Sequence, residues 1–467
     1  MSVLAPPGES AAVPPQQTTE NVSLKAKLAY ASPGLPLQVL HFAALAILPA
    51  FYAKHTAVSV TAIGLTLLAT RIFDALFHPL VGFVSDRFIS SKSGRKPWIV
   101  TGAMLCAISA YAIFTPSSNA GVGYYFFWSV MLFASWTVLE IPHRAWGSEL
   151  TRDYFERSRV FAVLAQFRMV GSILFLGAPL LPFFASSDII RPQFLTTAAL
   201  VLAFVFPLSA VAAVTGAPAG KIVARKRSTL RGLVKSFARN KPLWIFAGVF
   251  ALSGIGSGLY NSVLLLFVSD YLKLGNEYPY IGLLYFAVSL PMMSVWGLLM
   301  NRIGKHRAWA LGMMGFAVVL PLYWFVPPGP GSFHLVLAFT FIFAAASSSD
   351  YLIPMAALGD IVDYDILKTG VNRSGNYFSL LQFVQAAQIA IGGGLGFLLL
   401  GLFHYSAKGG NGPVAVLGLK LTLLVFPSVL YFLAAILILR SPITARRHDI
   451  IRRRITARAE RQDRRRS

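Results

Sequence analysis

The chain has 467 residues, 56% of them hydrophobic and only 13% charged, with a formal net charge of +23. A soluble domain carries about 25% charged residues, so an ordinary water-soluble enzyme is excluded. The positive charge is spread through short loops and the tail, which argues for membrane topology and against nucleic acid as a partner.

Apolar runs of about 20 residues, enough to cross a bilayer core of about 30 Å, recur along the whole length. Residues 1–34 are polar and Pro-rich and read as a disordered cytoplasmic tail rather than a signal peptide. About twelve spans follow, near 36–53, 57–84, 97–115, 122–146, 160–183, 193–215, 243–269, 279–300, 308–326, 334–358, 375–403 and 414–439. The single cysteine, Cys106, falls inside a span and leaves no intramolecular disulfide to form. Basic residues concentrate between alternate spans, in loop 217–242 and in the tail 441–467, which places both termini in the cytoplasm. Those two basic stretches could also attract anionic lipid, at about 1 kcal/mol per residue near the surface.

Loop 217–242 divides the chain into two bundles, 35–216 and 243–440. Internal similarity supports the division. Gly82, Asp86 and Arg87 recur as Gly297, Asn301 and Arg302, while Ile141, Pro142 and Gly147 recur as Ile353, Pro354 and Gly359. Two similar six-helix halves joined by a basic loop are the layout of major facilitator transporters. The expected fold is therefore an all-α polytopic membrane protein.

Ionisable residues inside these spans are expensive and mark a solute or ion path. Arg71, Asp74 and His78 are three and four residues apart and share one helix face. Glu140 lies two residues before a mid-span Pro142, and Asp350, its rough counterpart, four residues before Pro354. Proline frees a carbonyl one turn earlier, a break tolerated where a helix lines a cavity. Arg168 is a further cation, inside the fifth span. Trp128, Trp136 and Tyr111 are candidates to stack on a ring, against the commoner role of membrane aromatics in packing. Acidic and basic residues at the ends of the fourth and tenth spans, with Asp86, Arg87 and Arg95, form a candidate cytoplasmic gate. Its members are Glu149, Asp153, Arg157, Asp363 and Arg373.

Three blocks carry a family resemblance. They are Arg71-Ile-Phe-Asp74-Ala-Leu-Phe-His78-Pro79, Glu140-Ile-Pro-His-Arg144 onward to Arg157, and Asp360-Ile-Val-Asp363-Tyr364-Asp365 onward through Lys368, Arg373 and Tyr377. In this order they resemble the glycoside–pentoside–hexuronide:cation symporters, whose best-known member is the melibiose permease, and Gly82 to Lys96 resembles the major facilitator loop signature. The resemblance implies a sugar or glycoside carrier working by alternating access. It implies cation coupling at Asp74, His78 and Glu140, and substrate binding by Gln38, Arg71, Glu140, Arg168, Asp350, Gln385 and Gln388.

Two departures bear on coupling. A second aspartate of the family pattern is His78 here, and the lysine expected in the eleventh span is replaced by Ala386, flanked by Gln385 and Gln388. Sodium needs hard oxygen ligands, whereas histidine suits proton transfer. The expectation is coupling to H+ rather than Na+, with no other cofactor and no metal, and a monomer in a bacterial inner membrane. A lysolipid or other amphiphile carrier, an uncoupled facilitator and a non-transporting sensor are the alternatives. Enzyme motifs such as H-E-x-x-H or G-x-S-x-G are absent from the sequence.

Overall fold

A computed structural model describes residues 21–87, 94–151, 154–182, 184, 188–220, 240–369 and 374–442, with six separate positions between 447 and 457. Most of the basic loop and the tail lie outside these residues. Twelve helical segments account for the twelve expected spans. The first six are α1 (Leu24–His55), α2 (Val60–Arg87), α3 (Lys96–Phe114), α4 (Val122–Glu149), α5 (Tyr154–Gly177) and α6 (Pro192–Gly216). The second six are α7 (Lys241–Tyr271), α8 (Tyr278–Ile303), α9 (Lys305–Leu322), α10 (Pro330–Thr369), α11 (Ser374–Leu402) and α12 (Pro413–Leu439). Eleven segments are long and apolar enough to cross a membrane, and the described apolar part of α11 is the shorter Ala387–Leu402.

Two boundaries differ from expectation. Helix begins at Leu24, inside the expected disordered tail. Ser23 caps it by accepting from the Ala26 N–H at 3.2 Å, and Ala26, Tyr30 and Ala31 are buried. Tyr30 is the anchor. Its ring stacks on His143 at 4.4 Å, its carbonyl accepts from His143 Nε2 at 2.7 Å, and its hydroxyl donates to the His143 carbonyl at 3.2 Å. A polar sequence conceals this because the burial comes from α4, over a hundred residues away. The tenth span is also longer than its apolar core and turns at Ser348, so that Asp350 opens its second segment.

Helices α1 and α12 share a device. A π-turn at Ala43–Ile47 precedes Pro49, and another at Leu421–Val425 precedes Pro427. Proline removes one N–H from the ladder, and the wider turn absorbs the mismatch without ending the helix.

The halves meet through α2 with α11, α5 with α8, and α1 with α7. Glycine makes the closest approach possible. A Cβ on Gly64 of α2 would lie 2.9 Å from the Gly394 carbonyl oxygen and 2.9 Å from the Leu398 nitrogen of α11. Where nothing drives apolar helices together beyond packing, such small-residue seams carry the association. Lys54 of α1 reaches Asp270 of α7 at 3.4 Å, and Tyr405 donates to the same carboxylate at 2.9 Å. These contacts all lie toward the end of the molecule away from the chain termini. Toward the terminal end, Gly82 of α2 and Gly359 of α10 have open space where a Cβ would be. The ion pairs described there stay within one half: Arg95–Glu149 at 2.9 Å, Lys27–Glu156 at 2.5 Å and Lys305–Asp360 at 2.5 Å. Among the described residues the contacts that join the two halves thus gather at the end away from the termini.

Candidate functional site

The polar centre of the N-terminal half is assembled by α2, α4, α5 and α1. On α4, Trp136, Glu140 and Arg144 are four residues apart and form one stripe. Glu140 is buried, and all three of its described partners come from side chains. Trp136 Nε1 donates to Oε2 at 3.0 Å, Arg144 Nε to Oε1 at 2.5 Å, and Arg168 Nη2 of α5 to Oε1 at 2.7 Å. Two guanidiniums therefore share one carboxylate, leaving an excess positive charge. His41 of α1 packs its ring against Trp136 at 4.8 Å.

The α2 face adjoins this stripe. Thr137, next to Trp136, donates to Asp74 Oδ1 at 2.9 Å. Arg71 Nη1 lies 3.7 Å from Asp74 Oδ2, and its guanidinium carbon sits 3.9 Å over the Phe133 ring of α4. His78 Nδ1 is 3.2 Å from Asp74 Oδ1 and 2.8 Å from the Asp74 carbonyl oxygen. Buried Arg71 Nε and Nη2, and Arg168 Nε, have no partner among the described residues. Buried donors left unmade cost about 1–3 kcal/mol each. A solute rich in oxygen acceptors is the natural way to recover that cost.

Asp74, His78, Arg71, Glu140 and Arg168 thus come together as expected. No described contact ties the other expected members to this cluster. Gln38 is half-buried on α1 and Gln385 exposed on α11, neither with a described hydrogen bond. Gln388 is buried where its amide fills the space above Gly254 of α7, with Oε1 unpartnered. Helix spacing alone did not separate a residue lining the centre from one packed in a helix seam. Asp350 is held in the other half by Trp309 Nε1 of α9 at 2.6 Å and the Tyr431 hydroxyl of α12 at 3.0 Å. Trp128 packs on Tyr124 and Phe127, and Tyr111 is exposed. Of the gate residues, Arg95 pairs with Glu149 as described, Arg157 donates to the Thr151 carbonyl at 3.3 Å, Arg87 is exposed and Asp363 half-buried. Asp153, Arg373 and the Asp86 side chain lie outside the described residues.

Residues missed from sequence are His41, Phe133, Thr137 and the role of Arg144. Arg144 was legible as the i+4 partner of Glu140. The other three carry no charge pattern, and only the crossing of α2, α4 and α1 brings them in.

The family model for MFS/sugar transport proteins matches residues 29–445. The chain belongs to that family. Within it, the sugar-transport relatives point to the glycoside–pentoside–hexuronide:cation symporters of the major facilitator superfamily. The uncharacterized symporter YnaJ of Bacillus subtilis (strain 168) is 25% identical, over 90% of this chain and 92% of its own. The glucuronide carrier protein homolog of Escherichia coli (strain K12) is 23% identical, over 84% of this chain and 87% of its own. Among solved structures, the nucleoside transporter NupG superposes with a TM-score of 0.63 at 11% identity, covering 89% of this chain and 99% of its own. A bacterial homolog of the human lysosomal transporter Spinster superposes at 0.61 and 13%, covering 90% of this chain and 98% of its own. This major facilitator chain is a multi-pass bacterial membrane protein and a secondary transporter of sugar-type solutes, not an enzyme.

Proposed function

We propose that this sugar transporter is a proton-coupled symporter working by alternating access, with Asp74 and His78 as the coupling pair. The observation that carries this reading is His78 Nδ1 at 3.2 Å from Asp74 Oδ1. An imidazole stands where a sodium site would require another hard oxygen, and histidine is suited to exchange protons with an adjacent carboxylate. Glu140, expected to share in coupling, is instead occupied by Arg144 and Arg168. Its role in this reading is to orient Arg168 and Trp136 for the solute, with the ring of Trp136 as a stacking face and the guanidinium as a planar donor. A carrier of this kind alternates between two states that open its centre to opposite sides. The protein acts as a monomer, since one chain supplies both halves, and its basic loop and tail meet anionic lipid at the cytoplasmic surface.

The test is uptake into proteoliposomes, using a panel of glycosides and hexuronides under an imposed pH gradient. Accumulation is expected with the pH gradient and without sodium. Asp74→Asn should abolish gradient-driven accumulation and preserve exchange of labelled for unlabelled solute, which needs no net proton movement. Accumulation driven by a sodium gradient at constant pH overturns the proton assignment. Uptake that only equilibrates points to an uncoupled facilitator.

A further inference from the structure

The C-terminal half contains a carboxylate held quite differently from the acids around it. Asp74 faces Arg71, Glu140 faces Arg144 and Arg168, Asp270 faces Lys54 and Asp360 faces Lys305. Asp350 forms no ion pair among the described residues. Its two described partners are the neutral donors Trp309 and Tyr431.

We infer that Asp350 is a second proton-binding site, in the C-terminal half, with the Tyr431 hydroxyl as the group that reverses when the site is loaded. The geometry distinguishes the two carboxylate oxygens. Trp309 Nε1 can only donate, so Oδ1 remains an acceptor in either protonation state. A proton taken from water therefore forms its O–H bond at Oδ2. There the Tyr431 hydroxyl, at 3.0 Å, turns from donor to acceptor. Its own hydrogen then turns away from the carboxyl, toward the side of α7 that carries Ser257. Ser257 Oγ has a lone pair for this as well as for Asn261 Nδ2, which donates to it at 3.1 Å. No bond in the protein breaks, and no donor or acceptor of Asp350 is stranded in either state. Asn261 is exposed, so this polar pair on α7 reaches the surface of the half.

The surroundings on every packed element are consistent with this. From α9 come Trp309 and, nearer the end of the helix, Lys305 and His306, which face Asp360 instead. From α8 comes Tyr285, bonded to Ser347 and Tyr351 of α10 itself. From α12 comes Tyr431, stacked on Phe316 at 3.7 Å, which fixes its ring while leaving the hydroxyl hydrogen free to turn. From α7 come Ser257 and Tyr260, and among the described residues of α11 the Tyr377 hydroxyl is taken by Asn240 at 2.9 Å while neutral Gln388 packs on Gly254 of α7. None of these described neighbours sets a fixed positive charge on Asp350. A fixed positive charge would hold the carboxylate ionised, as in the four paired acids.

This inference rests on the proton-linked reading for what the second proton accomplishes, but its test does not. Infrared difference spectra of the purified full-length protein, titrated from about pH 5 to about pH 8, detect protonated carboxyl groups without any solute. The wild type should show a carboxylic-acid C=O band that disappears toward the alkaline end. Asp350→Asn should lose that band, Asp74→Asn should keep it, and Tyr431→Phe should shift its frequency by removing the acceptor of the acid O–H. Absence of the band in wild type, or its undiminished presence in folded Asp350→Asn, overturns the site. Should Asp350→Asn fail to fold, an unshifted band in Tyr431→Phe overturns it equally. Transport failure with the band present would instead count against the proton-coupled reading alone.

Discussion

Each half has six helices and an acid beside a mid-span proline, yet the two hold that acid in opposite ways. In α4, Glu140 is clasped by two guanidiniums and an indole. In α10, Asp350 is held by an indole and a phenol. The indole is common to both; what differs is whether the other partner carries charge. A charged partner fixes the state of a carboxylate, and a hydroxyl adapts to either state. The N-terminal half therefore offers a preset, positively biased surface to a solute, while the C-terminal half offers a group able to change.

The sharpest way to break this contrast is to neutralise each acid in turn. Glu140→Gln leaves Arg144 and Arg168 facing each other without compensation. Removing one partner from a buried ion cluster costs about 3–5 kcal/mol, so thermal unfolding in detergent should show a large fall, with solute binding lost. The seam between α7 and α11, inside the C-terminal half, comes next. A Cβ on Gly258 would lie 2.8 Å from the Ile389 carbonyl oxygen, and one on Gly392 would strike backbone of α7. Gly392→Val should cost about 1–3 kcal/mol by overpacking, read as a lower unfolding temperature. Asp350→Asn should cost about 1 kcal/mol or less, because an amide still accepts from Trp309 and finds Tyr431. A fall equal to that of Glu140→Gln would erase the distinction between the halves.

The smallest effect lies at the terminal end of the N-terminal half. Glu156 receives Lys27 Nζ at 2.5 Å, the Val22 N–H at 3.1 Å and Arg159 Nη1 at 3.2 Å. The hydrogen bond from Lys27, the largest influence, holds its carboxyl below the usual glutamate value. A carboxyl depressed in the folded state adds stability that is full above its unfolded value and is lost as pH falls through the folded one. Glu156→Gln should remove that acid-side loss from a stability–pH profile and leave the alkaline side unchanged. An unchanged acid limb would mean that the strap from Val22 to Lys27 contributes nothing to stability.

Much of the architecture was legible without coordinates. Twelve spans, their grouping by sixes and the helix-2 triad follow from apolar length, the distribution of charge and a spacing of three to four residues. Glu140 and Arg168 were legible as costly intramembrane charges, but not as a bonded pair. Gln388 was legible as a polar residue within a span, but not its fit into the space left by Gly254, which lies on a helix distant in sequence. The helix before residue 34 was missed because Tyr30 is buried by His143 and Trp146 rather than by its own neighbours.

By itself the sequence determined that this is a polytopic transporter of two related bundles, with Asp74, His78 and Glu140 as its expensive residues. Those properties depend on local composition, on periodicity along one helix and on the cost of charge in lipid, all readable along a single strand of text. Only the tertiary structure decided who satisfies each charge. Helices α2, α4 and α5 cross so that Arg168 meets Glu140, and α9 and α12 cross so that neutral donors are the described partners of Asp350. Partnership of side chains distant in sequence is set by the angles and close approaches of whole helices, which no local pattern encodes.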